Sequence, residues 1–409
     1  MRRQAWQLYV VLGLSGLGVV LTLIDVVPDM NRQFWDLAVY SGAAAVAGAG
    51  GDAYAETYSG LRFVYPPLVL AAFSALGAAL TPLLLTCYAA LTVLFVTMVP
   101  PSLRLSVFLI FGVMLGFDYL SRAAFTGNLT IFLHLAVVLL WLRPDLRLQP
   151  VILISVIEIA ALIKPYFAAY FALWLFRDAR LSRDTAHAGL ALALVIAIWA
   201  AQALFMPDQF AAFIKALTDQ LGLAGTRQDL GVGLFRVAIW LKATKATGMA
   251  VHLAVWAALA TVWFALLRPR LKARNTLSAQ TLLSVAPLIL CLILNPRLKV
   301  YDIAMLCLLG IQAGYLWSQA RPGQRLSPLL TLCIAFAAIA SLDFFTRNDD
   351  TINALQYGMV IVVLLAGFAM SAWIVAARPD ARLRPSSAPD AQPARPDGAG
   401  MRPRGPGAN

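Results

Sequence analysis

Charge is what this sequence has least of. Of 409 residues only 13% are charged, while 61% are hydrophobic and the mean hydropathy is +0.77. A soluble globular chain carries about 25% charged and about 45–50% apolar residues. The shortage of charge excludes an ordinary soluble enzyme, and the abundance of apolar residues excludes a disordered chain. Cysteine is scarce too, and Cys87, Cys291, Cys307 and Cys333 all lie inside apolar stretches. A disulfide framework would place cysteines in hydrophilic loops, so these read as small hydrophobes within helices. His134, His187 and His252 are far apart, and the sequence has no CxxC pair. That argues against a histidine-built zinc or iron site, which needs several such ligands. Repetition is missing as well. The long first hydrophilic stretch has no counterpart in the second half, which counts against an inverted-repeat transporter.

What the chain does have is long apolar runs. Met1-Arg2-Arg3 leads into an apolar stretch from Ala5 to Ile24. A signal peptide has a shorter core ending at a small-residue cleavage site, so this run predicts an uncleaved first membrane helix. Further apolar segments cover 66–99, 104–118, 128–142, 150–176, 187–206, 248–267, 278–294, 301–317, 327–343 and 353–376. A span needs about 20 predominantly apolar residues. Segment 66–99 carries Pro82, and segment 150–176 carries Lys164-Pro165. Either is one long pass or two short pieces, and splitting one of them gives about twelve crossings. The expected fold class is therefore an all-α polytopic transmembrane bundle.

The few charges set its orientation. Arg177/Arg180/Arg183, Arg268/Arg270/Lys272/Arg274 and Arg321/Arg325 form basic short loops. Lys and Arg concentrate on the cytoplasmic side, so these loops and both termini are expected there. Stretches 25–65, 207–247, 295–300 and 344–352 then face outward. The arginines of 143–149 favour the inside, which sends 119–127 and Lys164 to the outer face. Two domains result: a membrane domain over 1–376 and a cytoplasmic tail over 377–409. The tail is rich in Pro, Ala, Gly and Arg, with six arginines against three acids. It cannot bury enough surface to fold alone and is expected to be disordered. Its charge suits membrane lipids; nothing points to nucleic acid.

The outer stretches hold the chemistry. Stretch 25–65 carries Asp25, Asp29, Asp36, Asp52 and Glu56 against Arg32 and Arg62. A short helix is expected over 36–49. There Asp36 is either a helix cap or a base: a cap because a carboxylate suits a helix N-terminus, a base because a desolvated carboxylate among Trp35, Tyr40 and Tyr65 can take a proton. In the middle stretch, Phe210, Phe213, Ile214, Leu217 and Leu221 recur at helical spacing, with Asp208, Lys215 and Asp219 off that face. This predicts an interfacial amphipathic helix. Lys164 sits inside an apolar segment, where a charge is a functional candidate by default. Glu158, six residues earlier, is one candidate partner for it. Asp118 and Arg122 have the spacing of a structural pair.

Several strings occur in an order that resembles a known family. Asp36-Leu37-Ala38-Val39-Tyr40, the following Ala/Gly run, Gly51-Asp52-Ala53-Tyr54 and Phe63-Val64-Tyr65-Pro66-Pro67 are similar to the first outer loop of the GT87 (DUF2029) glycosyltransferases. Gly127-Asn128, Ala161-Leu162-Ile163-Lys164-Pro165 and Asn295-Pro296-Arg297-Leu298-Lys299-Val300-Tyr301-Asp302 resemble later elements of the same family. The resemblance covers about residues 5–376. It implies a GT-C-type enzyme of a bacterial inner or plasma membrane, taking sugars from polyprenyl-phosphate donors. It further implies that Asp36 is the catalytic base. Arg297, Lys299 and Lys164 would hold the donor phosphate, and Trp35, Tyr40, Tyr65, Asn128 and Asp302 would bind substrate. Mannosyltransferase members place a histidine in the late outer loop, where this chain has Lys299 and Tyr301. The sugar is left open among hexoses (mannose included) and pentoses, and the acceptor is a lipid-linked or glycan hydroxyl. No metal or other cofactor is expected, because the donor carries one phosphate and the chain supplies cations. The alternative reading is a transporter or flippase of lipid-linked sugars.

Overall fold

A computed structural model of the protein describes residues 34–98 (Ser59 aside), 127–178, 182–223, 243–274 and 277–296. It also describes the single positions 233, 235, 238, 241, 298 and 302. The expected helices over 5–24, 104–118, 327–343 and 353–376, the one over 301–317 apart from Asp302, and the tail over 377–409 lie outside the described residues. So do Arg297, Lys299 and the Asp118–Arg122 spacing.

The described part is mostly helical. Three of its helices, Pro67–Ala90, Arg183–Phe205 and Lys245–Lys272, are long and apolar enough to cross a membrane. Shorter apolar helices run over Leu129–Trp141, Gln149–Ile163 and Leu282–Ile293. The membrane character predicted from composition is thus present in the helices themselves.

Helix α1 (Trp35–Gly48) follows the small-residue run and stops at a glycine turn. Gly50, at φ 80°, donates to the Ala47 carbonyl at 3.0 Å, and Gly51 donates to Val46 at 2.9 Å. Such paired bonds close a helix end when the residue after it takes left-handed backbone, which glycine does without strain. A small hairpin follows, unforeseen in the sequence, with β1 (Thr57–Tyr58) paired to β2 (Leu61–Arg62). Helix α2 (Pro67–Leu76) has proline in its first turn, where the missing N–H is no loss. An irregular turn at Gly77–Ala79 leads into α3 (Leu80–Met98), so the apolar run breaks at Gly77 rather than at Pro82.

Helix α4 (Leu129–Trp141) is capped by Asn128, whose Oδ1 accepts from the Thr130 N–H at 2.9 Å. Helix α5 (Gln149–Ile163) ends at Lys164, whose backbone is extended. The residue before a proline avoids the helical region, so Pro165 sets that end. A 3₁₀ stretch over Pro165–Ala172 and the short α6 (Leu173–Asp178) complete what the sequence presents as one apolar run. Helix α7 (Arg183–Phe205), capped by Ser182, leads into α8 (Pro207–Leu223), the amphipathic helix expected there. Helix α9 (Lys245–Val262), capped by Thr244, passes through a wide turn at Trp263–Leu267 into α10 (Arg268–Lys272). Arg268, Arg270 and Lys272, expected in a loop, are therefore helical. Cations in a last turn complement the helix dipole. Helix α11 (Leu277–Ile293) closes the described set.

The connections sort into two ends. At one end the Arg177 guanidinium lies 5.2 Å from the Trp141 ring. There Arg268 donates to the carbonyls of Arg177, at 2.7 Å, and of Asp178. The starts of α2 and α4, the end of α5 and the junction of α7 with α8 lie at the opposite end. There the buried Gln202 accepts from the Leu68 N–H at 2.9 Å, tying α7 to the start of α2. Arg177 and Arg268, from two of the basic stretches, thus meet at one end of the described helices.

Candidate functional site

The site begins with an unusual residue. Phe34, just ahead of α1, has φ 60°, and it is the one non-glycine residue with positive φ among the described residues. Left-handed backbone on a bulky residue costs on the order of 1–3 kcal/mol. Packing over-determines it. Gly127, itself at φ +68°, sits so close that a Cβ there would meet Phe34 Cδ1 at 3.2 Å and Leu37 Cβ at 3.4 Å. The first loop and the Gly127-Asn128 pair, distant in sequence, are seated on one another. Asp36 follows in the first turn of α1, half-buried, where the free N–H groups favour a carboxylate.

One turn on, Tyr40 is fully buried, and its hydroxyl meets that of Tyr65 at 2.8 Å. The two rings stand edge to face at 5.2 Å. Burial raises the Tyr40 phenol well above its ordinary value, followed by the Tyr65 phenol and the Asp36 carboxylate. Burial also raises Tyr65, with Asp36 the next cause. The carboxylate of Asp36 therefore acts on both tyrosines, and both stay protonated hydrogen-bonding groups across the physiological range. Tyr88, from α3, donates to the Gly127 carbonyl and stacks on Phe132 at 4.2 Å.

Lys164 enters from the other side. Its Nζ donates to Asn128 Oδ1 at 3.3 Å and to Thr130 Oγ1. It also lies 5.3 Å from the centroid of the Tyr65 ring, a cation–π distance. Tyr166, just past the α5 break, reaches Thr130 Oγ1 at 3.4 Å. The contacts of Lys164 thus run to α4 and the first loop, rather than to Glu158, which stays half-buried within α5. Around the cluster, Tyr54 donates to the Tyr65 carbonyl at 2.9 Å and packs 6.2 Å from Phe213 of α8. Arg62 pairs with Asp219 of α8 at 2.9 Å. The amphipathic helix is fastened to the first loop.

Five residues singled out from the sequence are brought together: Asp36, Tyr40, Tyr65, Asn128 and Lys164. Tyr40 and Asn128 build the site more than they line it, since Tyr40 is sealed and the Asn128 oxygen serves the cap and the ammonium. Trp35 stands beside them, 39% exposed. Asp302 lies apart, 1% exposed and against His134. Thr130, Tyr88 and Tyr166 belong to the cluster and were missed. Thr130 and Tyr166 sit two residues from Asn128 and Lys164, but only the packing of α4 on the α5 break makes neighbours of them. Chemically, the cluster sets a carboxylate, a cation and phenol hydroxyls at one end of a set of apolar helices. Compared with family models, with curated proteins and with solved structures, the chain matches none.

Proposed function

We propose that the protein is a membrane glycosyltransferase of the GT-C type, moving a sugar from a polyprenyl-phosphate donor to an acceptor hydroxyl at the outer face. The observation that carries the reading is the meeting of Asp36, the Gly127-Asn128 pair and Lys164 in one cluster. Composition and spacing cannot bring those strings together, yet the proposed reaction needs them side by side. It needs a base for the acceptor, a cation for the phosphate, and apolar surface for the lipid chain.

In the reaction, Asp36 takes the proton of the acceptor hydroxyl. The hydroxyl oxygen forms a bond to the anomeric carbon as the bond from that carbon to the phosphate oxygen breaks. Polyprenyl phosphate leaves with the electron pair, and one direct displacement inverts the anomeric centre. Lys164 neutralises the departing phosphate, an interaction that strengthens as charge develops. Arg297 and Lys299 are assigned to the same phosphate by the resemblance.

The test is transfer from a panel of labelled polyprenyl-phosphate sugars by the full-length protein in membranes. D36N is isosteric and removes the base, so transfer is expected to fall by about 10²–10⁴-fold while expression and melting temperature hold. Undiminished transfer by D36N would remove Asp36 from the role. No transfer by wild type with any donor, together with donor movement across a vesicle membrane, would favour a flippase instead.

A further inference from the structure

Beneath the Lys164 cluster lies a second set of buried polar groups that the proposed chemistry does not use. His134 stands one turn along α4 from Thr130, so the two share a helix face. Its Nδ1 is 2.8 Å from the Tyr170 hydroxyl, and its Nε2 is 2.9 Å from Asp302 Oδ1. The latter distance is that of an ion pair, although the ring N–H does not line up with the oxygen as a hydrogen bond. The side chains of His134 and Asp302 are each 1% exposed, too sealed to meet a substrate.

Two rungs therefore join the same pair of segments. Lys164–Thr130 links the start of the stretch 164–172 to α4, and Tyr170–His134 links its far end to α4. Between them the chain is 3₁₀ over eight residues, Pro165–Ala172. Runs of that kind beyond three or four residues are uncommon, because their backbone hydrogen bonds are poorly aligned. Side chains must hold such a stretch in register. The His134 ring also packs 4.5 Å from Phe167, in the middle of it. The His134 ring is thus held between the Tyr170 hydroxyl at Nδ1 and the Asp302 carboxylate at Nε2.

We propose that His134, set by Asp302, is a positioning residue for Lys164. By anchoring Tyr170 it fixes the register of the 3₁₀ stretch, and so holds the Lys164 ammonium on Asn128 and Thr130, where the donor phosphate is to bind. Asp302 acts through His134 rather than on the substrate. The phosphate clause rests on the transferase reading; the placement of Lys164 does not.

The experiment has two arms, both on the full-length protein in nanodiscs. In the first, Lys164 is labelled with acetic anhydride and followed by mass spectrometry, with Lys215, 75% exposed, as the internal reference. Y170F keeps the ring and removes only the hydroxyl; D302N keeps the shape and removes the charge; T130V breaks the upper rung directly. Loss of a hydrogen bond of ordinary strength predicts Lys164 labelling about 3–10-fold faster in all three variants, with Lys215 unchanged. Faster labelling in T130V alone would overturn the proposal.

In the second arm, Y170F and D302N are expected to lower kcat for transfer from the polyprenyl-phosphate donor about 3–10-fold, with a smaller change in KM. A kcat equal to that of wild type in both variants would overturn the link to the departing phosphate. If wild type transfers no sugar at all, the transferase reading fails, and the labelling arm still decides whether His134 places Lys164.

Discussion

Asn128 does two things with one oxygen. Its Oδ1 accepts from the Thr130 N–H, starting α4, and from Lys164 Nζ, holding the cation. The two roles separate by substitution. Asn and Asp cap helices about equally well, so N128D keeps the start of α4 and sets a carboxylate against the ammonium. N128A loses the cap and the contact together. N128D is therefore expected to melt within a degree or two of wild type, but to lose donor binding, because the new carboxylate competes with phosphate for Lys164. N128A is expected to cost about 0.5–2 kcal/mol of stability. Calorimetry alongside donor titration checks both. A variant N128D that bound donor normally would show that the Lys164 charge is not needed there.

Lys164 reaches that oxygen because α5 ends where it does. Pro165 forbids helical backbone at the preceding residue, and Lys164 is extended, with φ −138° and ψ 110°. P165A lifts the restriction, so α5 can wind on through Lys164 and turn the side chain away from α4. Transfer is expected to fall about tenfold or more, with little change in far-ultraviolet circular dichroism, since misplacement of about 1 Å at a reacting centre already costs 10²-fold. Unchanged activity would show that the break is not what places the ammonium. This break was legible in the sequence, as a charge and a proline interrupting an apolar run. So were the helices from 128 to 142 and 187 to 206, found at Leu129–Trp141 and Arg183–Phe205, and the amphipathic Pro207–Leu223. Apolar period, caps and prolines are local signals. The hairpin at Thr57–Arg62 was not legible, and neither were the Tyr40–Tyr65 pair or the seating of Phe34 on Gly127. Those depend on which face of one helix meets another, and a single sequence does not encode that in any short window. The resemblance nominated Asp36, Asn128 and Lys164 one by one, whereas packing made them neighbours and added Thr130 and Tyr166.

At the scale of the molecule, the scarcity of charge becomes a division of labour between two ends. One end holds Arg143, Arg177, Arg183 and the cations of α10; the other holds Asp36, Asn128 and Lys164. Cations on short loops follow the cytoplasm, and in the proposed reaction the lipid-linked donor meets Asp36 at the far end, outside the cell. Ala55, in the first loop, is exposed, and Leu148, between α4 and α5, is 60% exposed. In a cysteine-free parent, A55C is expected to react with a membrane-impermeant maleimide in intact spheroplasts. L148C is expected to react only after permeabilisation. Labelling of both from the same side would break the division into two ends, because α4 alone, at about 1.5 Å per residue, carries the chain some 20 Å from Asn128 to Trp141. Labelling with the sides reversed would keep the division and place Asp36 in the cytoplasm. There the base could act only on donors and acceptors presented at the inner face, and the basic end would have been assigned the wrong side of the membrane.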